Sequence, residues 1–160
     1  MNATATTRPR LLLVYGGHPG GRTDQLQAAV QAGARTVAPA IDLMVRRALD
    51  CGPAELLEAT GILLGTPEHF GYMSGALKDF FDRTYYPTEG RLQGRPYALF
   101  VSAGNDGTGA IRSVERIVTG CGWVAIAPPL LVTGDPDEGA LERARELGGL
   151  MAAGLDAGIF

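Results

Sequence analysis

The chain lacks the features that would tie it to a disulfide framework, a membrane or a polyanion. Only two cysteines occur, Cys51 and Cys121, far apart and in no Cys-x-x-Cys or Cys/His ligand spacing. That excludes a disulfide-stapled scaffold and predicts reduced thiols in a cytoplasmic compartment. No segment approaches the roughly 20 apolar residues of a membrane span, so no membrane partner is expected. Met1 to Pro9 is polar and threonine-rich, without the apolar run of a signal peptide, and reads as a disordered tail at residues 1–9. Nor does basic charge dominate: 14 Lys and Arg stand against 17 Asp and Glu, scattered rather than clustered. A nucleic-acid partner is therefore not expected. Also missing are a Ser/His/Asp or Cys/His nucleophile arrangement, a metal-ligand cluster, the G-K-[ST] ending of a Walker loop and the G-x-G-x-x-G dinucleotide fingerprint.

What is present suits one soluble core: an apolar fraction of 46% with 19% charged over 160 residues. Leu11-Leu12-Leu13-Val14-Tyr15 is a continuous apolar run stopped by glycines, the pattern of a strand covered on both faces. Thr23 and Asp24 can cap a following helix, in which Leu26, Ala29, Val30 and Gly33 recur at helical spacing. Ile41, Leu43 and Val45 alternate with Asp42, Met44 and Arg46, predicting a second strand nearer the sheet edge. Pro53 to Leu57 reads as a short helix with proline in its first turn, leading into Ile62-Leu63-Leu64-Gly65 as a third buried strand. Met73, Ala76, Leu77, Phe80 and Phe81 form a wide apolar helical stripe opposite Lys78, Asp79, Asp82 and Arg83. Tyr97 to Val101 makes a fourth strand, and Ala110, Ile111, Val114, Ile117 and Val118 mark the helix after it. Trp123 to Val132 holds a fifth strand, bent or interrupted at Pro128-Pro129. A last helix is expected with Asp135 as N-cap, Pro136 in its first position and Leu141, Ala144, Leu147, Met151 and Leu155 on its buried face.

Strands alternating with helices, without repeat or linker, predict an α/β fold: a doubly wound five-stranded parallel sheet with helices on both faces. Its natural strand order is 2-1-3-4-5. The switch point then lies between the first and third strands, and ligands of such sheets bind outside the carboxyl ends of the strands. Three loops qualify. Gly16 to Thr23 runs from a strand into a helix N-terminus, where free N–H groups and the helix dipole suit a phosphate, with Gly20 and Gly21 allowing close approach. Thr23 adds a hydroxyl donor, and His18 or Arg22 an imidazole or guanidinium; the alternative is a plain glycine turn. Pro67, Glu68, His69, Phe70 and Gly71 follow the third strand, where an aromatic and an imidazole can pack on a flat ring unless Phe70 tucks into the core. Ser102, Ala103, Gly104, Asn105, Asp106 and Gly107 follow the fourth, offering backbone donors to a ligand edge or making an ordinary turn.

Gly65-Thr66-Pro67, Phe70-Gly71, Met73-Ser74-Gly75, Leu77-Lys78, Phe80 and Asp82-Arg83 together resemble the flavin-loop and helix motif of flavodoxin-like proteins. The resemblance is strongest to the quinone reductases of the tryptophan-repressor-binding-protein type, and it extends from the first strand to the last helix. It implies a single flavodoxin-like domain over residues 10–160 with FMN at the three loops. Gly21 and Thr23 match the glycine and last threonine of the family's T-x-T-G-x-T phosphate loop, while His18 and Gly20 stand where hydroxyl residues are usual. Glu68 is closer to the P-E-[YH] start of the same loop in NADPH-dependent FMN reductases. The implied activity is electron transfer from NAD(P)H through FMN to a quinone or similar small-molecule acceptor, with no catalytic side chain required. A one-electron flavodoxin carrier without its own substrate and a degenerate flavodoxin-like interaction domain are the alternatives. The balance of acidic and basic residues argues against the carrier, which relies on acidic steering. A homo-oligomer, dimer or tetramer, is also implied. Tyr85-Tyr86-Pro87 and Trp123 are either aromatic anchors for it or part of the core rim.

Overall fold

The computed structural model describes residues 7–160, and the first six positions of the expected tail lie outside the described residues. The apolar run near the start forms β1 (Arg10–Tyr15), followed by α1 (Arg22–Val37), β2 (Asp42–Arg47) and the short α2 (Pro53–Glu58). The third run becomes β3 (Gly61–His69), succeeded by the two-residue β4 (Tyr72–Met73) and α3 (Gly75–Thr88). Then come β5 (Pro96–Ala103), α4 (Thr108–Cys121), β6 (Val124–Ala125), β7 (Leu130–Thr133) and α5 (Glu138–Asp156).

β1 pairs in parallel with β2 on one side and β3 on the other, and β3 pairs in parallel with β5. The expected fifth strand arrives in two pieces on the same edge of β5: Val124 pairs with Pro96, and Leu130 with Phe100. Pro128 and Pro129 fall in the gap, where their missing N–H groups cannot serve a ladder. With β6 and β7 counted as one interrupted strand, the order is the expected 2-1-3-4-5, and the switch point lies between β1 and β3.

Side chains alternate across the sheet. Leu12, Val14, Ile62, Leu64, Leu99 and Val101 pack with Leu56, Phe80, Phe81 and Val114 from α2, α3 and α4. Leu11, Leu13, Leu63 and Phe100 take the other face with Leu26 and Val30 of α1 and Ala144 and Met151 of α5. α1 and α5 approach backbone to backbone. A Cβ on Gly33 would overlap the carbonyl oxygen of Arg145, and one on Gly148 would overlap that of Val30. Glycine at both crossings is therefore a packing requirement.

Two expectations shift. α5 is capped by Asp137, not Asp135: its Oδ1 accepts the Ala140 N–H at 2.7 Å, two residues later than the proline suggests. Gly134 at φ +74° turns the chain first, leaving Asp135 and Pro136 before the helix. At α1 the N-cap is Gly21, with Thr23 and Asp24 already inside the helix. Trp123 is buried against Phe81 and Tyr97, with ring centroids 6.1 and 6.3 Å away, so it belongs to the core, whereas Tyr86 is exposed.

Candidate functional site

A cleft of about 180 Å³ opens beyond the carboxyl ends of β1, β3 and β5. Gly17, His18, Gly21, Arg22 and Thr23 line it from the first loop, Pro67, Glu68 and His69 from the second, and Ser102, Ala103 and Gly104 from the third. All three loops expected at the switch point thus contribute. Gly20, Phe70, Gly71, Asn105, Asp106 and Gly107 lie outside this lining.

The first loop is braced from behind. Arg47, at the end of β2, donates from its guanidinium to the carbonyl oxygen of Gly17 and stacks over Tyr15, 5.2 Å from the ring centroid. In a trans peptide the carbonyl and the next N–H point oppositely, so drawing the Gly17 oxygen toward Arg47 turns the His18 N–H the other way. Asp24 Oδ2 accepts the Gly20 N–H at 2.7 Å, and its Oδ1 accepts from Gln27 Nε2 at 3.0 Å. The Gly20 N–H holds the Asp24 carboxyl below its ordinary pKa against an opposing effect of burial, with Gln27 and Arg47 adding to the lowering. Arg22 pairs with Asp135, Nε to Oδ1, at 2.9 Å.

α1 carries no side-chain cap at its N-terminus, whereas Ser74 accepts the Leu77 N–H at 3.3 Å to cap α3 and Asp137 caps α5. Among the described residues, the first-turn N–H groups of Arg22 and Thr23 have no hydrogen-bond acceptor. Thr23 is buried, and its hydroxyl meets that of Ser102 at 2.7 Å, linking the first loop to the third. Of two hydroxyls sharing one hydrogen bond, the acceptor keeps its own proton free to donate elsewhere.

The second loop is less of a loop than its proline and glycine suggest. β3 continues through Pro67, which registers opposite Ser102, to His69, and returns as β4 through a two-residue hairpin. The turn residues Phe70 and Gly71 have φ of +53° and +71°, the pattern of a type I′ turn. Phe70 is the one non-glycine residue at positive φ among the described residues, and it is fully exposed rather than in the core. The hairpin is clamped at its base: the Ser74 N–H donates to Thr66 Oγ1 at 2.9 Å, and the Met73 N–H to Ser113 Oγ of α4 at 3.1 Å. Glu68 turns toward α4, accepting the Ala110 N–H at 3.4 Å. His18 and His69 face each other across the cleft with ring centroids 6.4 Å apart. In the third loop, Asp106 accepts from the Thr108 hydroxyl at 2.9 Å, bracing the turn before α4, whose N-cap Gly107 carries no side-chain cap.

Arg47, Ser113 and Asp135 escape sequence reasoning as parts of the site, because each acts on a partner distant in sequence. Asp24 had a readable signal: an acid three residues after Gly21, at N3 of the helix, can reach back to the preceding backbone. No group of three or more His, Cys, Asp or Glu among the described residues is placed to hold a metal ion. No helix among them is long and apolar enough to cross a membrane.

A family model described as NADPH-dependent FMN reductase matches residues 53–135. An NAD(P)H dehydrogenase (quinone) of Acidithiobacillus ferrooxidans is 36% identical over 103 aligned positions, covering 51% of each chain. Quinone-oxidoreductase QR2 of Triphysaria versicolor is 44% identical over 69 positions, covering 42% of this chain and 33% of that one. The chain therefore spans about half the length, or less, of these curated relatives. In three dimensions a flavodoxin from the domain Archaea superposes with a TM-score of 0.78 at 24% identity, over 91% of this chain and 98% of that one. A flavodoxin, WrbA-like, from Agrobacterium tumefaciens does so with a TM-score of 0.74 at 21% identity, over 93% and 98%. These two likenesses show the flavodoxin fold.

Proposed function

Since the chain belongs to the NADPH-dependent FMN reductase family, we propose that it is an FMN-binding oxidoreductase carrying electrons from NAD(P)H to a quinone or similar small-molecule acceptor. The observation that carries this reading is the cleft itself. At one end lies an uncapped helix N-terminus with free N–H groups, and at the other a clamped hairpin that brings Pro67, Glu68 and the His69 imidazole to the cleft wall. The residues present fit a phosphate at the first end and a flat ring at the second. When bound, FMN supplies the hydride and electron transfer chemistry.

The chain's own residues bind, orient and shield. N–H groups of Arg22 and Thr23, reinforced by the α1 dipole, hold the phosphate. The Thr23–Ser102 hydroxyl pair directs one proton toward the ligand. Pro67 to His69 and Ala103 to Gly104 flank the ring, the latter offering backbone N–H groups to its polar edge. His18 and His69 stand at the mouth, where their rings can contact the bound ligand. In this reading residues 10–160 act as one flavodoxin-like unit in the cytoplasm. A homo-oligomer, dimer or tetramer, is part of the same reading, supported by the exposed Tyr86 and by Tyr72 on the hairpin.

The test is to purify the protein, record its visible spectrum, reconstitute it with FMN, and follow NADH or NADPH oxidation with and without a quinone. Flavin absorbance and quinone-dependent oxidation of either nucleotide are expected. Bound flavin without nucleotide oxidation would favour the one-electron carrier. A protein that takes up no FMN would leave only the interaction domain.

A further inference from the structure

Two carboxylates already pair with the loop assigned to the phosphate, and one of them engages Arg22, a cation of the cleft lining. Asp24 holds the Gly20 N–H, and Asp135 holds Arg22. They differ in how firmly they are placed. Asp24 is on the first turn of α1 and has partners on both oxygens, Gly20 on one and Gln27 on the other. Asp135 comes from the turn between β7 and α5, its side chain is 89% exposed, and Arg22 is the one partner it has among the described residues. An exposed pair of this kind is weak and readily exchanged.

We propose that Asp135 is a specificity-determining residue of the cleft: an internal counter-anion that neutralises Arg22 until a phosphate-bearing ligand replaces it. The inference rests on the flavin reading above. Arg22 offers a planar fork suited to a phosphate, and the Asp135 pair occupies its Nε. A flavin without the phosphate has nothing to exchange for Asp135 and leaves the pair intact. A flavin with it draws on the same guanidinium as the carboxylate and brings its own negative charge beside Asp135 and Asp24. Asp135 therefore lowers the preference of the site for the phosphorylated flavin without touching the ring.

The experiment is a set of fluorescence titrations of the full chain with FMN and with riboflavin, for the unaltered protein, Asp135→Asn, Arg22→Gln and the double variant. Asp135→Asn is expected to tighten FMN about two- to fivefold, the range that exchange of an exposed ion pair allows. Riboflavin affinity should stay unchanged. Arg22→Gln should weaken FMN alone, and on that background Asp135→Asn should lose its effect, since the two residues act through each other. Equal shifts for both flavins, or an unmoved FMN affinity in Asp135→Asn, would overturn the inference while leaving flavin binding in place. Failure of all four proteins to bind either flavin would overturn the flavin reading and this inference with it.

Discussion

Burial pushes the Cys51 thiol up to about 12, and the nearby Glu55 carboxylate adds to the rise. The side chain lies in the core beside Leu56 and Phe80, so the folded protein keeps it neutral and out of reach. A thiol-specific reagent at pH 8 should leave Cys51 unmodified in the native state and react with it fully in denaturant, with peptide mapping as the readout. The same shift has a sign for stability. The unfolded thiol ionises near its ordinary value of roughly 8.5, whereas the folded one does not until much higher. The contribution is thus fully present below that ordinary value and is lost as pH rises from there toward the folded pKa. How far single residues can be read from sequence depends on what they act upon. Thr23 was legible as a site residue, yet its partner Ser102 is 79 positions away and its hydroxyl bond is a product of the fold. Arg22 was legible as a cation at the phosphate end, but Asp135 opposite it appeared only as a helix cap.

At the level of elements, the hairpin joining β3 to β4 combines a rigid base with a strained tip. Phe70 has φ +53°, a left-handed conformation that disfavours residues with a bulky side chain. Its ring is fully exposed, so the fold gains no packing in return. Phe70→Gly should therefore stabilise the protein by about 1 kcal/mol, measured as a rise in the urea midpoint at constant slope. If the ring serves the ligand, the same variant should turn over quinone more slowly. A fall in stability would show that Phe70 has packing value that its exposure does not reveal. Strand, helix and core assignments were legible because they rest on local periodicity, as in Leu11 to Tyr15 or the stripe of α3. The hairpin was not, since Pro67 and Gly71 signal a loop while the pairing of His69 with Tyr72 depends on support from Ser113 of α4. The cap of α5 was misplaced for a similar reason: Asp135-Pro136 satisfies the local rule, but the turn at Gly134 delays the helix.

For the whole molecule, topology carried the argument. Alternating elements fixed the strand order, that order located the switch point, and the three loops gathered there line one cleft. Charge balance and scattered basic residues gave no reason to expect a nucleic-acid partner, but neither reads out the shape of the open mouth between His18 and His69, on which the choice of the proposed acceptor rests.

The broken fifth strand has a consequence for life at high concentration. A sheet edge with a long row of free backbone groups is a template on which another chain can polymerise. Here one edge is divided between β6 and β7 by Pro128 and Pro129, and the other, β2, presents Asp42, Arg46 and Arg47. Replacing both prolines with threonine would restore a donor at each position and offer a longer edge for intermolecular strand addition. That variant should scatter more light on mild heating than the unaltered protein, and equal scattering would place the safeguard elsewhere. More scattering would make the gap that complicates the strand count a barrier to sheet extension by neighbouring molecules.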